Sequence, residues 1–263
     1  MMKALHTAGT GMQVQQLTVD VIANNLANAN TSGFKRSQID FQDLLYQNMQ
    51  RPGMETWRGV VSPTGLQIGS GARAASTTKV FTQGTLNDTG RDLDMAIQGD
   101  GFFQVTMPDG STAYTRDGAF RIDATGNIVN TDGLKVTPGI AVPTTVTTIA
   151  VGKDGTVTGT TADSPPVTST LGQITLARFP NPAGLSSEGG NTYRETASSG
   201  APIVTTATQN GAGQIVQKSL EGSNVEVVTE LVNLITAQRS YEVASRAIKT
   251  GDDMLALVNN LTH

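Results

Sequence analysis

Every proline in this chain lies between Pro52 and Pro202, and 26 of its 29 glycines lie between Gly33 and Gly222. These are the two residues that most often interrupt regular structure. The first 30 residues hold only Gly9 and Gly11, and the last 40 hold only Gly251. The order helix, long turn-rich middle, helix follows from that partition alone.

The N-terminal stretch, Lys3 to Ala29, is helical in pattern. Leu5, Met12, Val19 and Leu26 recur at intervals of seven, with Ala8, Ile22 and Ala29 three residues on. A helix there spans roughly 40 Å. Gly33, after Thr31-Ser32, is a natural stop because it can turn left-handed. At the other end Val227, Leu234, Tyr241, Ile248 and Leu255 also recur at seven, with Ala237, Ala244 and Val258 as partners. A helix from Asn224 to Leu261 spans roughly 57 Å. Ser223-Asn224-Val225-Glu226 has the S-x-x-E spacing of a capping box. Both rows keep a period of 3.5, the repeat of helix-on-helix supercoiling. The expected fold is therefore α+β. Long terminal helices (1–30 and 224–263) pair as a coiled-coil core, a connecting segment covers 31–69, and an all-β outer domain of short antiparallel strands covers 70–223.

The middle reads as β. Phe102–Thr106, Ala113–Thr115, Ala119–Ile122 and Asn127–Val129 are short and rich in β-formers. Asp109-Gly110, Asp117-Gly118, Thr125-Gly126 and Asp132-Gly133 punctuate them like the turns of a meander. Lys153-Asp154-Gly155 predicts a further hairpin. Gln173–Phe179 alternates like a strand with one wet face. Residues 159–170 are rich in Thr, Ser and Pro and predict a surface loop. Residues 46–66 predict an extended or loop-like connection.

Chemistry is scarce. There is no cysteine, and the two histidines are His6 and His263. A Ser-His-Asp triad or a zinc site lacks its raw material. Gly69-Ser70-Gly71-Ala72-Arg73-Ala74 matches a dinucleotide fingerprint in letters but precedes Ser-Thr-Thr rather than a helix, so it reads as a flexible turn. Asp92 with Asp94, and Asp252 with Asp253, read as solvated surface. The net charge of −4 argues against nucleic acid. No catalytic, cofactor or metal residue is expected, and no small-molecule substrate. The N-terminus has no apolar region of the kind a cleaved signal peptide carries. The four asparagines of Ala23–Thr31 read equally well as polar contacts between packed helices or as an ordinary polar helix end.

Three stretches carry a resemblance. Ala23–Arg36, containing Asn24, Asn25, Asn28, Thr31, Gly33, Phe34 and Lys35, resembles the N-terminal signature of bacterial flagellar rod and hook proteins. Ser223-Asn224-Val225 with Glu230–Glu242 resembles that family's C-terminal motif. Gln83–Leu86, Leu93–Phe103 and Tyr114–Phe120 are similar to its middle. Tyr46-Gln47 through Arg51-Pro52-Gly53, and Gly65–Gly71, are most similar to distal rod members, with proximal rod and hook subunits as the alternative.

The resemblance implies a self-assembling structural subunit forming an open helical tube around an export channel, in a drive shaft that carries torque from motor to hook. Its implied partners are further copies of itself, proximal rod proteins, the hook protein, the P and L rings as bushing, and the flagellar type III export apparatus. Its implied place is the basal body, from periplasm to outer membrane, reached without a cleaved signal. The heptad rows are the expected assembly seam, with both ends ordering on assembly. The stretch about 46–66, with Tyr46, Arg51, Pro52, Gly53, Pro63 and Gly65, is the implied bridge between subunits. A β-rich adhesin or tail-like fibre is the structural alternative and a carbohydrate-active enzyme the catalytic one. Neither accounts for the motifs at both ends.

Overall fold

A computed structural model describes residues 2–50, 55–57, 60–61, 64–162 and 167–261, and these divide into two compact units. The first comprises residues 1–26, 37–78 and 226–263. The second comprises residues 27–36 and 79–225.

The first unit holds two long helices, α1 (Met2–Ala27) and α2 (Val227–Leu261), and a β-ribbon. Strand Ser37–Asp43 pairs with Ala72–Lys79, and Tyr46–Gln50 pairs antiparallel with Leu66–Gly69. Leu44 N–H donates to Gly71 O at 2.8 Å, and Ser70 Oγ donates to Leu45 O at 2.8 Å, so the two pairings join into one ribbon. A short hairpin, Glu55–Trp57 with Val60–Val61, lies within the connection. Of the extended or loop-like course expected for 46–66, the described residues take the extended one, in a ribbon with a register shift between Asn48 and Gln50. Gly71 is a strand-edge residue at φ +115° rather than a phosphate-type turn, and a methyl there would stand 2.2 Å from Thr10 Oγ1 of α1.

The terminal helices do not form the expected paired coiled coil. A two-helix seam covers both heptad rows, yet Val227, Tyr241 and Leu255 stay 42%, 41% and 36% exposed. The buried residues of α1 are Val14, Ile22 and Asn25; only Ile22 belongs to the heptad pattern, at one of its alternate positions, and Leu5, Met12, Val19 and Leu26 are only half-buried. The helices touch locally: a methyl at Gly251 would stand 2.7 Å from Leu5 Cδ2, and Val19 and Tyr241 border one cleft. The physical reason lies in competition for α1. It packs on the ribbon through Thr10 and Asn25 instead of presenting an unbroken seam.

Both helix ends differ from the expectation. The first stops at Ala27, two residues early. The second starts at Val227, so Ser223 is not its cap. Ser223 Oγ accepts from Val225 N–H at 3.2 Å, while Glu226 O accepts the first helical bond from Glu230 N–H at 3.0 Å.

The second unit is built on a nine-stranded antiparallel sheet centred on Phe102–Thr106. Thr112–Thr115 flanks one side, with Tyr114 opposite Gln104. Lys135–Val136 and Thr175–Arg178 share the other side. Adjacent residues on one strand feed different cores because side chains alternate across a sheet. Phe103, Val105 and Leu176 enter the larger cluster with Met95, Ile97 and Ile215. Phe102 and Ala177 enter a second cluster with Tyr114, Phe179, Leu185 and Tyr193. The one wet face expected of 173–179 is therefore absent: Leu176 and Ala177 are both fully buried.

Asp109, Gly126, Gly133 and Gly155 mark real turns. Gly118 does not. It lies against strand Met95–Gln98, where a methyl would meet Met95 O, and its own carbonyl accepts from Met95 N–H at 3.0 Å. Residues 156–161 and 168–173 are strands of a three-stranded sheet, so the expected loop over 159–170 shrinks to its tip, of which 163–166 lie outside the described residues.

Candidate assembly surface

The asparagine-rich motif resolves into two separate tasks. In the first unit, buried Asn25 donates from Nδ2 to Ser37 O and accepts at Oδ1 from Ser37 N–H, both at 2.8 Å. Its amide imitates a strand edge and fastens the ribbon to α1. This is an intramolecular duty, not a contact that sets register between helices. Asn28 accepts from Thr31 N–H at 3.2 Å and from Thr31 Oγ1 at 3.2 Å, forming the turn after the helix. Asn24 sits on the exposed side of α1.

In the second unit Gly33, Phe34 and Lys35 are all buried. Gly33 has φ +67°, and a methyl there would lie 2.5 Å from Asp117 N, so close approach rather than helix termination requires it. Lys35 Nζ meets Glu221 Oε1 at 2.6 Å and donates to Thr82 O at 2.7 Å. Arg116 Nη1 meets Glu221 Oε2 at 3.4 Å, and Gly84 N–H donates to Oε1 at 3.0 Å. Lys35 and Glu221 have no side-chain exposure and Arg116 has 3%. Burial pulls the Lys35 ammonium below the usual lysine range, against the opposing pull of Glu221. Asn224 completes the clasp, accepting from Arg36 N–H at 2.8 Å and donating to Val80 O at 2.8 Å. Phe34 carries the Lys79 ammonium 4.6 Å from its ring centre. Asp94, expected at the surface, is buried and receives Thr89 Oγ1 at 2.6 Å and Arg91 Nε at 2.8 Å.

These motif residues hold the chain together and leave the outward-facing work to others. On α2, Leu234 and Ile248 are half-buried along with Ala244, and Ala237 is buried. The opposite side carries Val228 (70% exposed), Val232 (57%), Ile235 (49%) and Val243 (66%). At 100° per residue these fall about half a turn away from Leu234, Ala237 and Ile248. A helix with two apolar faces requires two neighbours, and the described residues supply only one. Reading at a strict period of seven missed this outer row, although its spacing of three and four was visible.

The ribbon adds Leu45, at 90% the most exposed large apolar side chain among the described residues, with Tyr46, Met49, Leu66 and Ile68. Tyr46 lies opposite Gly69, its ring 3.5 Å from where a Cβ would be. Gly65 is half-buried. Arg51, Pro52, Gly53 and Pro63 lie outside the described residues. Exposed large apolar side chains gathered on one ribbon point to protein–protein contact. Among the described residues no cluster of His, Asp and Glu could hold a metal ion, and no helix is long and apolar enough to cross a membrane.

Comparison with known proteins agrees along the chain. Residues 5–35 match the family "Flagella basal body rod protein". Residues 96–159 match "Flagellar hook protein FlgE/F/G D1 domain" and 216–261 match "Flagellar basal body rod FlgEFG protein C-terminal". The chain is 44% identical over 263 residues to the flagellar basal-body rod protein FlgG of Borreliella burgdorferi, covering 99% of each. It is 46% identical to that of Caulobacter vibrioides over 261 residues, again 99% of each, and 36% identical to that of Bacillus subtilis over 266. Identity of this extent, along essentially the whole of both chains, shows that the protein belongs to the flagellar basal-body rod protein family, a family of structural components rather than enzymes.

Proposed function

We propose that the chain is a subunit of the distal rod of the bacterial flagellum. Copies assemble helically, head to tail, into the stiff shaft that carries torque from motor to hook and encloses the export channel. A repeating heterologous contact of this kind grows as an open helix rather than closing on itself. The observation that carries the reading is the unpartnered outer row of α2, Val228, Val232, Ile235 and Val243. Covering such side chains is worth on the order of 1 kcal/mol each, and the sum is realised only between subunits. The paired strands 46–50 and 66–69 are the second contact, bridging one subunit to the next. The seam residues that stay exposed, Val227, Tyr241 and Leu255, add to these contacts, where their remaining exposure is removed.

The distal position rests on relatives named FlgG that align over nearly the whole chain. With it go the partners: proximal rod proteins below, the hook above, the P and L rings around, and the type III export apparatus that delivers the subunit across the periplasm. Similarity to a Bacillus subtilis hook-basal body complex protein, FlhP, at 31% identity keeps a second position in the axial structure as the other reading.

The test is Val232→Asp with Val243→Asp in a strain lacking the native gene. Both sites are exposed, so the monomer should keep its stability to within about 0.5 kcal/mol. The expected result is loss of hook and distal rod with the proximal parts retained in basal-body micrographs. Rods of normal length and straightness from this variant would overturn the assignment of the α2 outer face.

A further inference from the structure

The outer apolar row of α2 carries a cation in its midst. At 100° per residue Arg239 falls with Val228, Val232, Ile235 and Val243 inside one arc of about 80°. Ile235, Thr236, Arg239, Ser240 and Val243 line a groove of about 410 Å³ there. Glu242, three residues on, pairs instead with Arg246 at 3.6 Å, and among the described residues Arg239 has no ion-pair partner. In the free chain water satisfies this exposed guanidinium. Covering the row excludes that water, and a covered cation is costly unless the cover brings a carboxylate. The neighbour that seats here must present an apolar residue and a carboxylate on one face.

Helix α1 has such a face. Its single acidic residue is Asp20, which is exposed and has no ion-pair partner among the described residues. Leu17, one turn earlier, is 38% exposed. Val14, Ile22 and Asn25, the buried residues of α1, lie on the opposite side. Gln16 and Val19 of α1 border one cleft with Gln238 and Tyr241 of α2, so Asp20 and Arg239 stand at the same level of the helix pair while both face outward. A second copy set alongside, with an axial offset within one helix turn of about 5 Å, brings Asp20 against Arg239.

We propose that α1 of a second copy covers the outer row of α2, with its Leu17 against Ile235 and Val243 and its Asp20 carboxylate accepting from the Arg239 guanidinium. The inference rests on the assembly reading. It adds which helix of the neighbour is the cover and which charge pair fixes the register.

The test is a charge exchange in the full chain, in a strain lacking the native gene. Asp20→Arg and Arg239→Asp should each lower the amount of assembled subunit in purified basal bodies about tenfold, the low end for a close interfacial charge pair. The two together should restore it to within about twofold of the unaltered chain. The absence of cysteine allows a second readout. Coexpressed Asp20→Cys and Arg239→Cys chains should give a dimer with a short bismaleimide, whereas Asp253→Cys with Arg239→Cys should not. Normal assembly of either single variant, no rescue by the double exchange, or a dimer from the Asp253 arm alone would overturn the proposal. If Val232→Asp with Val243→Asp abolishes rods while the exchange rescues nothing, the outer face remains the assembly surface and only its occupant falls.

Discussion

Replacing Glu221 by Gln, and separately Lys35 by Met, should destabilise the second unit by unequal amounts. Glu221 is the single carboxylate between two buried cations, and it also accepts from Gly84 N–H. Neutralising it leaves Lys35 buried without a counter-charge and Arg116 with only Asp100, an exposed carboxylate, acting on it. Removing one partner of a buried ion pair typically costs 3–5 kcal/mol, and about 4 is expected here. Lys35→Met leaves Glu221 facing Arg116 and the Gly84 amide, and puts an apolar chain of similar length in the same space. Thr82 O loses a donor. About 2 kcal/mol is expected, the cost of a buried acceptor left unsatisfied.

The assay is urea unfolding of the full chain, followed by the β signal in circular dichroism and by amide resonances of residues 102–106. The pH response adds an independent check. The native Lys35 value lies below 10.5 because of burial. Between that native value and 10.5 the unfolded chain holds a proton that the native chain has released, so native stability rises with pH across this window. Lys35→Met should remove that rise. Equal costs for the two variants, or a Glu221→Gln cost under about 1 kcal/mol, would refute the account of Glu221 as the shared counter-charge.

Two further predictions concern single contacts. Asn25→Asp removes the donor to Ser37 O in a buried site and should cost about 1–3 kcal/mol, with faster hydrogen exchange at Ser37 and Ile39 as its local signature. Asp123 accepts from the Thr125 hydroxyl and from the amides of Thr125 and Asn127. These bonds hold its carboxyl below 3.8. A carboxylate titration by NMR should give a midpoint under the usual aspartate value, and the turn should loosen as pH falls through that midpoint; an ordinary midpoint would contradict the turn geometry.

The helices and their order were legible because breakers and heptad rows are local signals. Their packing was not. A period of seven selects one stripe, so Leu234 and Ile248 were found while Val232 and Val243 half a turn away were passed over. The motif Asn24–Lys35 was visible as a pattern, yet its duties depend on partners far along the chain. Lys35 needs Glu221, and Gly33 needs the backbone at Asp117. No spacing rule connects residues that distant. Asp117-Gly118 illustrates the opposite failure: its letters are those of a hairpin turn, but the glycine is there because another strand crosses it. The double burial of Leu176 and Ala177 was equally hidden, since alternating small and apolar residues do not reveal whether a second core lies beneath the presumed wet side.

The clasp of Lys35, Glu221 and Asn224 closes a loop that takes in most of the molecule, with 186 residues separating the two ion-pair partners. Closing a loop of that size has an entropic cost that grows only slowly with length, but it requires both ends to be present. Any process that delivers this chain N-terminus first, whether synthesis or threading through a channel, releases Lys35 long before Glu221. Until then the lysine has no carboxylate to be buried against, and the β unit lacks the strand that ends at Glu221. The clasp can therefore form only when nearly the whole chain has arrived, and the second unit is completed by its last strand rather than its first.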